Sequence, residues 1–252
     1  MENFKIELEK IESEFLRIKN LGFVENKRPN NKDGGIGNTF EDLLGVKENN
    51  LKDADYLGFE IKSKRMLNES LLSLFTKSPS NPKKANRFLK DNFGKAEESL
   101  NKLNVLHASI FGHHESLIYD KFFIKLEIDR ENELLKLIVK DKNLILVSDD
   151  VHWTFEALKK ASNKINKLFV VFAHHKKENE ILKFHFTEAE VFLHFNFENF
   201  LKFIEEGKVV FDIRIGVYKS GSNIGKPHDH GSGFRIKKEN IQGLYQTYKK
   251  FI

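Results

Sequence analysis

Asp55, Glu60 and Lys62 stand close together in the run DADYLGFEIKSKR, and they are the residues best suited to chemistry. Hydrolysis of a phosphodiester needs an activated water and a means of neutralising charge as the leaving oxygen departs. Two carboxylates can hold Mg²⁺, a hard cation that prefers oxygen ligands and keeps several waters. A nearby lysine can orient the attacking water and stabilise the developing negative charge. The triplet acid-x-Lys by itself is common in a lysine-rich chain and occurs here at Glu25, Glu60 and Glu206. At Glu60 alone it follows an aspartate and falls in a strand pattern. The competing reading of Glu60 and Lys62 is an ordinary solvated strand face.

The local pattern decides how these groups are presented. Leu57, Phe59 and Ile61 alternate with Gly58, Glu60 and Lys62, the period of a strand with one apolar and one polar face. Glu60 and Lys62, two apart, then project from one side. Asp55 lies at the start, where a bend would bring its carboxylate beside Glu60. Just upstream, Asn38 opens N-T-F-E, a capping signature with Glu41 three residues later. A short helix through Leu44 follows, and Glu41 on it is either a further acidic group for the site or simply half of a capping box.

The remaining pattern predicts helices over 4–18, 84–103, 153–166, 196–206 and 238–250. Strands are expected at FFIKLEI, LLKLIV and NLILV within 122–148, at KLFVVFAHH and at VVFDIRIGVY, with loops at 25–37, 77–83 and 220–233. In VVFDIRIGVY, Asp212 and Arg214 share a face. The mixture indicates an α/β or mixed α+β enzyme fold. GGIG at 34–37 is no phosphate-cradling loop, because no G-K-[ST] follows. The pairs His113–His114 and His174–His175 are assigned no role.

Composition narrows the class. The 252 residues include 40% hydrophobic and 31% charged side chains, enough for a sizeable core in a soluble chain. The 24 phenylalanines against one tryptophan read as core filling. No apolar run reaches the roughly 18 residues that span a bilayer, and no signal-peptide core is evident, so a cytoplasmic location is expected. With no cysteine, disulfides and thiolate metal sites are excluded. The net charge of +5 leans towards a polyanionic partner, and Lys77, Lys83, Lys84, Arg87 and Lys90 cluster in a way that suits phosphate contacts.

The run GGIGNTFEDLLGVKENNLKDADYLGFEIKSKR, followed by SLFTKSP, resembles the catalytic segment of the MvaI/BcnI restriction endonucleases, relatives of the MutH mismatch-repair nickase in the PD-(D/E)xK superfamily. The resemblance continues in FDIRIGVY and KPHDHGSGFRI, and the matching blocks cover about a third of the chain. It implies a restriction-endonuclease-like fold, a MutH-like two-lobed clamp around a mixed sheet, with 1–105 as catalytic lobe and 106–252 as DNA-recognition lobe. Asp55, Glu60 and Lys62 fall on the family's catalytic motif, with Asp55 and Glu60 as Mg²⁺ ligands, and Glu41 falls on its helix glutamate. Asp212, Arg214, His228, His230 and Arg235 fall on segments that contact bases. Arginine can bond bidentately to guanine and aspartate can accept from cytosine N4, so this set suits G·C pairs. For His228-Asp229-His230, a zinc site, an HNH-like nuclease motif and a plain hydrogen-bonded loop stand beside base contact.

The function so implied is that of a type II restriction endonuclease. It would cut double-stranded DNA at a CCNGG-type site, with CCWGG expected, as a monomer acting on one strand at a time and with a cognate methyltransferase as functional partner. A MutH-like nickase and a non-catalytic DNA-binding module are the alternatives.

Overall fold

The computed structural model describes residues 2–28, 35–46, 55–66, 71–97, 103–219 and 221–251. Helix α1 (Glu2–Lys19) buries Ile11, Phe15 and Ile18, the stripe its spacing predicts. Strand β1 (Val24–Glu25) leads to α2 (Gly35–Leu43), which begins three residues before Asn38. Asn38 therefore lies inside the helix instead of capping it. Gly35 is pressed against Asn26, so close that a β-carbon would sit 2.7 Å from its side-chain amide. In the same turn, Thr39 Oγ1 accepts the Lys27 N–H at 3.2 Å. These tertiary contacts extend the helix beyond its local signal.

Strand β2 (Glu60–Arg65) starts later than the alternation suggests. Tyr56 and Phe59 exchange backbone hydrogen bonds of 3.1 and 2.8 Å across Leu57 and Gly58, whose φ values are +49° and +76°. Two successive left-handed residues make the tight turn typical of hairpins, and this turn delivers Asp55 back to the strand.

Strand β3 (Leu72–Thr76) precedes α3 (Ala85–Phe93), which stops ten residues short of the expected end at 103. Gly94 marks the stop: a β-carbon there would meet Lys90 O at 2.3 Å and Val105 O at 2.7 Å. The chain turns instead into β4 (Lys95–Glu97), paired antiparallel with β5 (Leu103–Ile110). A meander follows, of β6 (Ser116–Ile118), β7 (Phe122–Asp129), β8 (Leu134–Lys140) and β9 (Leu146–Thr154). The third expected strand at 143–147 starts only at Leu146, because Asp141 Oδ1 accepts the N–H groups of Asn143 and Ile145 at 2.8 and 2.9 Å and holds the chain in a turn before it.

Helix α4 (Phe155–Ser162) is capped by Thr154, whose side chain accepts the Ala157 N–H, and ends in a 3-10 turn at Asn163–Ile165. Strand β10 (Lys167–Glu178) pairs with β11 (Ile181–Phe195), a strand the sequence pattern did not announce. Helix α5 (Phe197–Glu205), β12 (Val209–Val217), β13 (Pro227–Asp229) and β14 (Gly233–Ile236) follow. The expected last helix is replaced by a 3-10 segment at Lys238–Leu244 and by β15 (Tyr245–Phe251), which pairs with β11.

The chain divides into two compact units, and the division does not follow a single boundary near residue 105. The first joins Met1–Ser70, Lys164–Phe195 and Tyr245–Ile252; the second joins Leu71–Asn163 and Asn196–Leu244. In the first, β2 lies parallel beside β10 and β11 carries β1 and β15 on its other edge. Its core packs α1 and α2 on the sheet through Phe15, Phe40, Phe169 and Phe186. In the second, β3-β14-β12-β5-β4 form one sheet with β13 beside β12, and β6-β7-β8-β9 form another. Trp153, Phe211, Phe234, Phe75 and Phe200 interlock there as edge-on and tilted ring pairs. The phenylalanines thus fill two interiors. Among the described residues no helix is long and apolar enough to cross a membrane.

Candidate functional site

In the first unit, the turn at 56–59 brings Asp55 to the start of β2. Asp55 Oδ2 accepts the Ile61 N–H at 2.8 Å, so the aspartate is bonded to the residue between Glu60 and Lys62. Glu60, with its side chain only 4% exposed, takes a hydrogen bond from Lys62 Nζ at 2.5 Å on Oε1. The competing reading of a solvated strand face does not hold for Glu60. The carboxylate is buried, and it is retained there by a cationic partner, as buried charge requires.

A second cation, missed by sequence reasoning, completes the group. Lys164 Nζ, from the 3-10 turn that precedes β10, donates to the same Glu60 Oε1 at 3.0 Å. Its placement follows from the parallel pairing of β10 with β2, in which Leu168 stands opposite Glu60. Beside it, the buried Tyr245 donates its hydroxyl to Ile165 O at 2.9 Å. Burial, with the Glu60 charge adding to it, holds the Tyr245 phenol well above its ordinary value, so it stays a neutral donor. Lys164 sits in a lysine-rich helix tail, and no spacing rule would single it out.

Burial pushes the Asp55 carboxyl above the ordinary carboxylate value; the Ile61 N–H opposes this, Glu60 adds to the rise, and Lys62 and Lys164 pull it back. A half-buried aspartate and a buried glutamate thus repel each other, with that repulsion only partly offset by the two lysines. Among the described residues one oxygen of each is engaged, Oδ2 of Asp55 and Oε1 of Glu60, which leaves one oxygen on each for a hard cation. This donor set fits Mg²⁺, which takes one or two carboxylates and fills its shell with water and phosphate oxygens. Among the described residues no group of three or more metal-ligating side chains forms. Glu41 lies on α2, which packs against β2, and is not part of such a group.

The second unit gathers the other candidates. Asp212 and Arg214 do share a face of β12, and Arg214 Nε donates to Asp212 Oδ2 at 2.7 Å. Arg235, opposite Val210 on β14, brings Nε within 2.9 Å of the same oxygen; that contact is an ion pair without hydrogen-bond alignment. Its Nη2 donates to Gly231 O at 3.0 Å. Burial, then the adjacent Arg214, lowers the Arg235 value, with Asp212 opposing. From β5, Ser109 Oγ donates to Asp212 Oδ1 at 2.8 Å. His107, Ser109, Asp212, Arg214 and His230 line one shallow concavity. His107 and Ser109 were not foreseen, since nothing in LNVLHASI marks it as the partner of β12.

His228 and His230 belong to the same surface. Tyr218 stacks on His228 at 4.2 Å and 12°, and His228 lies 4.2 Å from the His230 ring. Burial, then His228 and His107, lowers the His230 value, favouring the neutral ring. The aspartate between them is a loop organiser: Asp229 Oδ1 accepts the N–H groups of Gly231 and Ser232 at 2.9 and 2.6 Å, and Asn86 donates to Oδ2 at 2.8 Å. With that carboxylate so engaged, the zinc reading loses its third ligand. In the basic cluster, Lys90 is buried against Asp91 and Arg87 bonds to the same carboxylate, leaving Lys83 and Lys84 as its exposed members without such a bond to Asp91.

The sequence matches the MvaI/BcnI restriction endonuclease family over residues 12–245. The solved complex of restriction endonuclease MvaI with its cognate DNA substrate is 35% identical, covering 97% of this chain and 98% of that one, with a TM-score of 0.87. MvaI in the absence of DNA is 35% identical over 97% of each chain, with a TM-score of 0.64. Comparison with curated proteins gives no match. A family match over most of the chain, joined to like structures over its length, establishes that this chain belongs to the MvaI/BcnI family and is a type II restriction endonuclease.

Proposed function

We propose that the enzyme is Mg²⁺-dependent and cleaves double-stranded DNA at a CCNGG-type site, CCWGG in the first instance, as a monomer cutting one strand at a time. The observation that carries the chemistry is the convergence at β2. Asp55 is folded back onto Ile61, and Lys62 closes on Glu60 while one oxygen of each carboxylate stays available. Asp55 and Glu60 would hold Mg²⁺, which supplies a polarised water and offsets charge on the phosphate. Lys62 orients the attacking water and balances the negative charge that grows on the phosphate oxygens. Glu41 assists from α2, outside the ligand pair.

In this reading the first unit cleaves and the second reads sequence. Arg214 and Arg235 are suited to guanine O6 and N7, Asp212 to cytosine N4, and His228 and His230 to neighbouring base edges. Carboxylate oxygens carry about four acceptor sites between them, so Asp212 retains capacity beyond Ser109 and Arg214. That MvaI is solved with cognate DNA supports duplex DNA as the ligand here. A cytoplasmic enzyme of this kind requires a methyltransferase protecting the same site.

The test is digestion of unmethylated plasmid with Mg²⁺ and with EDTA, followed by end-sequencing. Discrete fragments in Mg²⁺ alone, ending within one CCNGG motif, are expected. Ends at an unrelated motif would refute the site, equal cutting in EDTA would refute the metal, and only nicked circles would point to a nickase.

A further inference from the structure

Glu60 is a nearly enclosed carboxylate that meets two ammonium groups on one oxygen: Lys62 at 2.5 Å and Lys164 at 3.0 Å. One would suffice to keep a buried charge paired. The second matters because Lys62 has other work. A lysine that is the sole counter-charge of a carboxylate with 4% exposure cannot leave it without stranding a buried charge. Lys164 comes from a different element, and its base is fixed. Ile165 is fully buried, its carbonyl takes the Tyr245 hydroxyl, and the Asn166 carbonyl takes the His194 N–H at 2.9 Å.

We propose that Lys164 is a positioning residue: it is the standing counter-charge of Glu60, and so releases Lys62 to the attacking water when DNA and metal enter. The inference rests on the reading of Asp55, Glu60 and Lys62 as the cleavage site. Tyr245 serves the same purpose one step removed, by fixing the turn that carries Lys164.

The division of labour predicts opposite changes in two measurements. Lys164→Met, Lys164→Arg, Tyr245→Phe and Lys62→Met are compared in single-turnover cleavage of a plasmid in saturating Mg²⁺. Calorimetric titration of Ca²⁺ into the protein–DNA complex supplies a readout without turnover. Lys164→Met should slow cleavage by about 10- to 100-fold, because Lys62 is then held on Glu60. Ca²⁺ should bind about 3- to 10-fold tighter, since a like charge has left the site. Lys164→Arg should restore both values, and Tyr245→Phe should show a weaker form of the Lys164→Met pattern.

Normal cleavage by Lys164→Met, or slower cleavage with weaker Ca²⁺ binding and no rescue by arginine, would overturn the proposal; the second result marks a merely structural lysine. Lys62→Met separates the two levels. If it cuts normally, the reading of the cleavage site fails. If it is inactive while Lys164→Met is normal, only the role of Lys164 fails.

Discussion

The Ile61 N–H donates to Asp55 Oδ2 across 2.8 Å, so the residue between Glu60 and Lys62 itself holds the aspartate against the strand. The bond exists because Leu57 and Gly58 both turn with positive φ, at +49° and +76°. Placing a side chain at Gly58 strains that turn by about 1–2 kcal/mol. Gly58→Ala should therefore displace Asp55 and lower the cleavage rate by at least about tenfold while leaving DNA binding intact. Gel-shift binding in Ca²⁺, set against cleavage in Mg²⁺, separates the two effects. Unimpaired cutting would mean that the turn does not set the catalytic geometry.

Lys62→Ala removes the ammonium nearest Glu60 but leaves Lys164 as partner, so the buried carboxylate is not stranded and the fold should survive. Cleavage should fall below detection while DNA affinity stays within about twofold. Retention of a normal rate would remove Lys62 from the catalytic group.

Arg214 and Arg235 contact the same carboxylate oxygen of Asp212, yet their surroundings differ. The Arg235 side chain is 12% exposed and Arg214 is 48% exposed. A desolvated guanidinium discriminates bases more sharply than a solvated one. Arg235→Ala should cost about 1–3 kcal/mol of cognate over non-cognate affinity, and Arg214→Ala less. Competition binding with cognate and scrambled duplexes measures both, and equal losses would contradict the burial argument.

The triplet proposed for catalysis was legible because strand periodicity and residue chemistry coincide in DYLGFEIKSKR. Lys164 was not, because its contact with Glu60 arises from the parallel pairing of β10 with β2, and no local pattern encodes that register. The same cause explains the last helix that became β15: YQTYKKF can serve either structure, and pairing with β11 decided it. At Asn38, a sound capping motif was overridden by the packing of Gly35 on Asn26. Local signals held wherever one element sufficed, as in α1, and failed where a distant partner set the outcome.

Asp229 offers the sharpest separation of scaffold from contact. Its carboxylate fixes Gly231 and Ser232, and Ser232 Oγ in turn accepts the Arg214 N–H at 2.8 Å, while the His230 N–H donates to Arg214 O at 2.9 Å. The loop is thereby registered against β12, so His228 and His230 stand where Asp229 puts them. Asp229→Ala should lose the bonds from Gly231, Ser232 and Asn86 and the order they impose, lowering stability by about 1–3 kcal/mol and weakening discrimination of the cognate site. Asp229→Asn keeps an acceptor for both N–H groups and should retain most of each. Thermal unfolding and competition binding on the two variants provide the measurement. If Asp229→Asn fails as completely as Asp229→Ala while Asn86→Ala, which removes only the bond to Oδ2, does not, the negative charge itself is required, and a direct contact by Asp229 would replace the scaffold account.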